Sequence, residues 1–281
     1  MSPAATIGQL LARHRELVDL SDTPLLDTEL LLCHVLEQSR TWLKTWPERE
    51  LSPPQQHQFD QLFERRLQGE PIAYITGSRG FWTLELATNS ATLIPRPETE
   101  ILVELALQKM ASIPRGRGLD LGTGTGAIAL ALASEKPCWR WFGVDLNEDA
   151  VALAQRNAAA NSIENVQFSQ SDWFAKVADK FELIVTNPPY IAAGDPHLTK
   201  GDVRFEPTSA LVSGSDGLDA IRTICHRARR YLHSGGWLLI EHGYDQSRAV
   251  QNLLLQCGYH AIETAADLSG QLRVTLGQYR N

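Results

Sequence analysis

Apolar and polar positions along this chain follow two different periods. Through residues 1–75 the apolar ones recur every three or four places. Ile7, Leu10, Leu11 and Leu17 share one helix face with His14, which reads there as a partly buried core residue rather than a ligand. Thr23 before Pro24 is an N-cap with proline at the first helical position, and Leu26, Leu30, Cys33 and Leu36 follow on one face. Ser52-Pro53-Pro54-Gln55 has capping-box form ahead of Phe59, Leu62, Phe63 and Leu67, and Gly69 stops that helix. Residues 1–75 therefore predict a small helical bundle.

Over residues 76–96 the period changes to two. Trp82, Leu84 and Leu86 alternate with Thr83, Glu85 and Ala87, with Gly77 and Gly80 as turns, which predicts a β-hairpin linker. From residue 97 onward, helical and strand patterns alternate. Strands are expected at 118–121, 141–144, 166–168, 181–185 and 237–241, with helices between them, and a last strand pair at 259–264 and 271–276. Runs such as Leu183-Ile184-Val185 are apolar throughout, as in parallel strands covered on both faces. The fold expected for 97–281 is a doubly wound α/β domain with a C-terminal antiparallel hairpin. Residues 191–217 carry no clear period and read as a long loop, a length usually kept for function.

Composition narrows the classes. The chain has 281 residues, 43% hydrophobic, and a net charge of −7, which weighs against a dominant phosphate-binding surface. The first 75 residues hold 7 basic and 11 acidic side chains, a net of −4. That block carries no catalytic constellation and is compatible with a docking module or a purely structural cap. Cys33, Cys138, Cys225 and Cys257 are widely spaced with no C-x-x-C pair, which fits reduced cytoplasmic thiols better than disulfides or a zinc site. There is no basic start followed by an apolar core, and no apolar run approaches about 18 residues. The expectation is a cytoplasmic chain with no membrane span and no metal.

Two stretches carry candidate chemistry. Gly122-Thr123-Gly124-Thr125-Gly126 lies between a strand and a helix, where a backbone approaches a ligand closely. Asp120 precedes it on the strand, and Asp145 follows about 20 residues later at the next strand end, where a carboxylate can take ribose hydroxyls. Dinucleotide spacing can be laid over Gly122, Gly124 and Ala127, but the C-terminal strand pair suits an S-adenosylmethionine sheet better, and no P-loop lysine follows. The second stretch is Asn187-Pro188-Pro189-Tyr190 at the end of a buried strand. Proline fixes φ and lacks an N–H, so the Asn187 and Pro188 oxygens form a ledge that can accept both hydrogens of a planar –NH2 group. Tyr190 can stack on its plane. Alone, the stretch also reads as a proline-rich turn.

Taken together, D-L-G-T-G-T-G-A-I-A-L at 120–130, G-V-D at 143–145, S-D-W-F at 171–174, N-P-P-Y at 187–190 and I-P-R-P-E-T-E at 94–100 resemble the protein-glutamine N5-methyltransferases of class I peptide-chain release factors, the HemK/PrmC family. D-V-R-F-E-P at 202–207, E-H-G at 241–243 and R-V-T-L-G at 273–277 add to the resemblance, which covers essentially the whole chain. It implies methyl transfer from S-adenosylmethionine to the glutamine side-chain amide of a Gly-Gly-Gln loop. It also implies that Gly122 to Gly126 run beside the cofactor, Asp145 binds its ribose, Asp172 and Trp173 border its adenine, and Asn187 to Tyr190 hold the glutamine, with Asn187, Pro188 and Tyr190 catalytic. The release factor is then the protein partner of a monomeric enzyme with no stable nucleic-acid binding. An adenine-N6 methyltransferase would use the same ledge but should also present a basic groove.

Overall fold

In a computed structural model, which describes residues 5–280, the chain divides into two compact units. One runs up to Ser78 and takes in Pro196–Phe205; the other comprises Arg79–Asp195 and the chain from Glu206 onward.

The first unit is helical, with α-helices at Ile7–Leu11, Pro24–Leu36, Arg40–Thr45, Pro53–Leu67 and Ile72–Thr76. Its core is Leu10, Leu17, Leu31, Leu32, Leu43, Phe59 and Phe63. The capping box forms as the sequence implies, with the Ser52 amide donating to Gln55 Oε1 at 3.0 Å. Thr23 holds the N-cap position, but its hydroxyl turns to Asp27 rather than to the backbone. The run from Ile7 is not one α-helix: after Leu11 it tightens into a 3₁₀ helix over Ala12–Leu17. Arg40–Thr45, capped by Ser39, is too short for periodicity to have marked it.

At the heart of this unit is a buried guanidinium. Arg66 donates to Asp27 at 2.8 Å, to Asp202 at 3.0 Å and to the Glu70 carbonyl at 3.0 Å. Asp202 belongs to the stretch that the sequence pattern left as a loop. That stretch is structured: 3₁₀ turns at Pro196–Thr199 and Gly201–Phe205 precede a short helix at Thr208–Leu211, and Ile191 bridges to Val212. Helical turns of four or five residues fall below the length at which an amphipathic period can be read.

The second unit begins at Arg79, one residue into a hairpin of β1 (Ser78–Phe81) and β2 (Leu84–Ala87). Trp82 is not on a strand: it occupies the turn with φ +57°. Then come β3 (Arg117–Leu121), β4 (Arg140–Asp145), β5 (Val166–Gln170), β6 (Phe181–Thr186), β7 (Leu232–Glu241), β8 (Tyr259–Ala266) and β9 (Leu272–Tyr279). They form one sheet in the order β5-β4-β3-β6-β7-β9-β8, parallel from β5 to β7 and antiparallel through β9 and β8. Alternate residues of each strand feed opposite faces. Leu183, Val185 and Leu239 join the core beneath helices Glu100–Met110, Ala127–Glu135 and Glu148–Ala160; Ile184, Leu238 and Ile240 join the core beneath Asp219–Ala228 and Ser247–Gln256. Each such side chain, fully buried, contributes about 1.5–3 kcal/mol. Among the described residues no helix is long and apolar enough to cross a membrane, and no cluster of side chains could hold a metal ion.

Arg66→Ala leaves the Asp27 carboxylate, 6% exposed, without its cation. Removing one partner of a buried pair costs about 3–5 kcal/mol. We expect a clearly lower denaturant midpoint for loss of the helical circular-dichroism signal; an unchanged midpoint would mean that water reaches Asp27.

Candidate active site

Sheet register brings the candidate residues together. Leu121 at the end of β3 pairs with Val144 on one side and Thr186 on the other. The next residues along these strands, Gly122, Asp145 and Asn187, therefore emerge at one carboxyl edge, where the connections diverge to opposite sides of β3. Open α/β sheets leave a crevice at such a point.

The glycine loop turns back over this edge. The amides of Gly122 and Thr123 donate to the Val144 carbonyl at 2.8 and 3.0 Å. Gly124 has φ +55° yet has open space where a Cβ would sit, its nearest neighbour being Thr92 at 3.9 Å. Backbone conformation, not crowding, calls for glycine there. Asp145 shapes the loop: Oδ2 accepts from the Gly124 amide at 2.9 Å and Oδ1 from the Asn147 amide at 2.9 Å. Burial pushes its carboxyl above the usual range against these bonds. Beneath the loop, Asp120 accepts from the Thr123 hydroxyl at 2.7 Å while its other oxygen has no partner; burial pushes this carboxyl up to about 7.

The resulting cleft is lined by Gly122 to Thr125, Asp145, Leu146, Asn147, Ser171, Asp172, Trp173, Asn187 and Pro189, together with Ala91 to Leu93, Arg96, Thr99, Ser209 and Ala210. Trp173, at φ +47°, walls the slot beside Gly122, and the Ser171 hydroxyl donates to its carbonyl at 2.9 Å. A carboxylate flanked by an indole and small apolar side chains suits a nucleoside, with hydroxyls on the charge and the planar base in the slot.

Four residues singled out from the sequence do not line this cleft. Asp120 lies beneath it, and Gly126 caps the helix that begins at Ala127, crowded by Leu130, Ala154 and Phe168. Pro188 is buried. Tyr190 packs its half-buried ring on the Ile184–Ile240 core face and accepts through its carbonyl from Gln246 Nε2 at 2.9 Å. Burial holds the Tyr190 hydroxyl neutral, so it offers no base.

Other residues that shape the site were not read from the sequence. Glu206, 5% exposed, accepts from the Ile94 amide at 3.0 Å and from Arg96 at 2.7 Å, fixing the wall that ends at Thr99. Buried Asn157 donates to the carbonyls of Thr125 at 2.9 Å and Ala87 at 3.1 Å, tying the glycine loop to β2. The available signals were indirect: Glu206 sits in the D-V-R-F-E-P stretch with no role attached, and Asn157 is an amide inside a helical run. His242 has a structural place. It donates from Nδ1 to the Gly243 carbonyl at 2.9 Å and meets the Thr275 hydroxyl through Nε2 at 2.8 Å, and burial lowers its proton affinity.

Comparison with known proteins adds independent findings. Residues 9–77 match the PrmC N-terminal domain, and residues 97–202 match the methyltransferase small domain. The chain is 55% identical over 262 residues to a release factor glutamine methyltransferase of Vibrio cholerae, covering 92% of this chain and 91% of that one. It is 54% identical over 263 residues to one from Pseudomonas aeruginosa, covering 92% and 95%. Among solved structures, the 16S rRNA methyltransferase RsmC of Thermus thermophilus, in complex with AdoMet and guanosine, is similar with a TM-score of 0.50 and 23% identity over 72% of this chain and 50% of that one, a likeness of fold alone.

Glu206→Ala removes a charged acceptor from the Ile94 amide, a bond that contributes about 1.5–3 kcal/mol. Hydrogen exchange at that amide should speed up by roughly 10- to 100-fold. Unchanged protection would show that the wall is held without Glu206.

Proposed function

The chain belongs to the release factor glutamine methyltransferases, and from that membership we propose that it methylates N5 of a release-factor glutamine held by Asn187. The cofactor is S-adenosylmethionine. This chain fits it on its own terms: a left-handed glycine loop with room beside Gly124, an unpartnered buried Asp120 oxygen below, and the Asp145 carboxylate beside the Trp173 slot. When bound, the cofactor supplies an electrophilic methyl group on a sulfonium.

The observation that carries the reading is the shared register that places Asn187 in the same cleft as Gly122 and Asp145. An amide nitrogen is a weak nucleophile because its lone pair is delocalised into the carbonyl. Asn187 Oδ1, on the cleft wall, accepts one of its hydrogens, fixes its orientation and favours the positive charge that develops on it, while buried Pro188 stiffens the ledge rather than facing the cleft. Pro189 closes the same wall, and Tyr190 supports the ledge from behind. No base is required before transfer, because the proton becomes acidic once the methyl group has arrived.

The N-terminal helical block, residues 1–75 with a net of −4, is proposed as the docking surface for the release factor. A factor that approaches ribosomal RNA presents basic surface, so this complementarity raises the encounter rate and makes it salt-sensitive. We further propose a cytoplasmic monomer without stable nucleic-acid binding. The adenine alternative lacks support: neutralising phosphates takes lysine and arginine, and this chain carries −7.

Mass spectrometry of a purified class I release factor, incubated with the protein and labelled S-adenosylmethionine, tests the function against duplex DNA at low salt. Label on the glutamine is expected; label on DNA alone would overturn the reading. Asn187→Ala should cut the single-turnover rate on the order of 100-fold while lowering cofactor affinity far less. Asp145→Ala should weaken cofactor binding by roughly 10- to 100-fold in calorimetry, the loss of one charge-assisted bond. A near wild-type value in either assay removes that residue from its role.

A further inference from the structure

Glu241, the last residue of β7, does not line the cleft, yet it adjoins a residue that does. Thr186 pairs with Ile240, so the next residues of the two strands, Asn187 and Glu241, lie side by side. On its other side Glu241 pairs with Val274 of β9, and it is 2% exposed. The Thr99 and Asn187 side chains face its carboxylate as hydrogen-bond donors and draw its proton affinity down. Asn187 Nδ2 also donates to the Thr99 hydroxyl oxygen at 3.2 Å, which closes a triangle. The second carboxylate oxygen, Oε2, has no partner.

Donor arithmetic gives this triangle a direction. An ionised carboxylate only accepts, so the Thr99 hydroxyl donates to Glu241 and keeps its lone pairs for Asn187. Both Nδ2 hydrogens of Asn187 are then used, one on each neighbour. Turning the amide over would set Oδ1 against a carboxylate that has nothing to donate. Oδ1 is therefore left for the cleft. A donor bond to a buried charge also polarises the amide and strengthens Oδ1 as an acceptor.

We propose that Glu241, acting with Thr99, is a positioning residue for the transfer: it locks the Asn187 amide with Oδ1 toward the acceptor nitrogen and increases the negative charge on that oxygen. The proposal rests on the reading that Asn187 holds the glutamine amide. Neither the motif around Asn187 nor the spacing of Glu241 from it, more than 50 residues on, marks the two as partners; only the register does.

A pH signature follows from the surroundings. Burial pushes the Glu241 carboxyl up to about 7, opposed by the bonds from Thr99 and Asn187 and by Arg273 on β9, and reinforced by Glu98. Arg273 is shared with Asp267 at 3.1 Å, Arg96 with Glu206, and the Tyr190 hydroxyl stays protonated. His242, next in the chain, is kept neutral by burial. Below the Glu241 pKa the carboxyl becomes a donor and the triangle loses its direction, so transfer slows as pH falls and recovers as pH rises.

The test uses the full chain with a purified class I release factor and saturating S-adenosylmethionine, in single turnovers across pH. Glu241→Gln, which is isosteric, should lower the rate by about tenfold and abolish the acid limb of the pH profile. Glu241→Leu should lower it on the order of 100-fold, and Thr99→Val should fall between them while Thr99→Ser restores the rate. Cofactor affinity by calorimetry should stay within about twofold of wild type in both Glu241 variants. A wild-type rate and pH profile in Glu241→Gln, or a rate loss matched by an equal loss of cofactor affinity, would overturn the proposal; the isostere decides if Glu241→Leu fails to fold. If the wild-type protein leaves the release-factor glutamine unmodified, the functional reading itself falls, and that result is separate from any variant.

Discussion

The Thr186 hydroxyl donates to the Leu121 carbonyl at 2.8 Å, deep in the sheet, and with the β3–β6 ladder it holds two strand ends level. That levelness is the constraint on which the site depends. A slip of one residue would reverse the facing of every side chain on β6, sending Ile184 to the opposite core and Asn187 away from the cleft. Such a slip is opposed on both faces at once, because Leu183 and Val185 are committed to one core and Ile184 to the other. Placement of the candidate residues here is a by-product of core packing. The apolar strands keep the register, and the polar residues one step beyond them inherit a common edge.

The same logic explains what could be read from the chain and what could not. Strand and helix order was legible because Leu183-Ile184-Val185 and its like are continuous apolar runs, and the glycine loop because left-handed backbone needs glycine at Gly122, Gly124 and Gly126. Asp145 and Asn187 were legible because each ends a strand. Trp82 was misplaced because a two-residue period does not reveal that a bulky side chain occupies the turn itself. Glu206, Asn157 and Glu241 were not legible as site residues, since their partners lie far away in the sequence and are met only through the fold.

The stretch after Asn187-Pro188-Pro189-Tyr190 shows how much a short segment can carry. Within five residues, Asp202 joins the Arg66 network, Arg204 donates to the Gln68 carbonyl at 3.3 Å, and Glu206 anchors Ile94 and Arg96. The first two serve the helical unit and the third serves the cleft wall. Charged residues this close together usually read as a solvated loop. Burial demands a partner only for Glu206, because an ionised group without one is costly to take out of water, while Asp202 and exposed Arg204 are held by the groups they reach in the helical unit. The pairing therefore orders a segment that has little apolar surface of its own.

An amide acceptor also dictates which groups the cleft should lack. A general base must have a proton to take, yet an amide N–H is far too weakly acidic to yield one before the methyl group arrives, so a base would gain nothing and would compete for the hydrogens that set orientation. The nearest candidates are withdrawn by their surroundings. The Tyr190 hydroxyl is held protonated by burial, and His242 has both ring nitrogens engaged. In the proposed arrangement, what remains toward the acceptor is oxygen that only accepts, with the Glu241 carboxylate behind it. As charge moves from the sulfonium to the nitrogen during transfer, such fixed acceptors gain attraction without having to reorganise, and that difference between ground state and transition state is what accelerates the reaction.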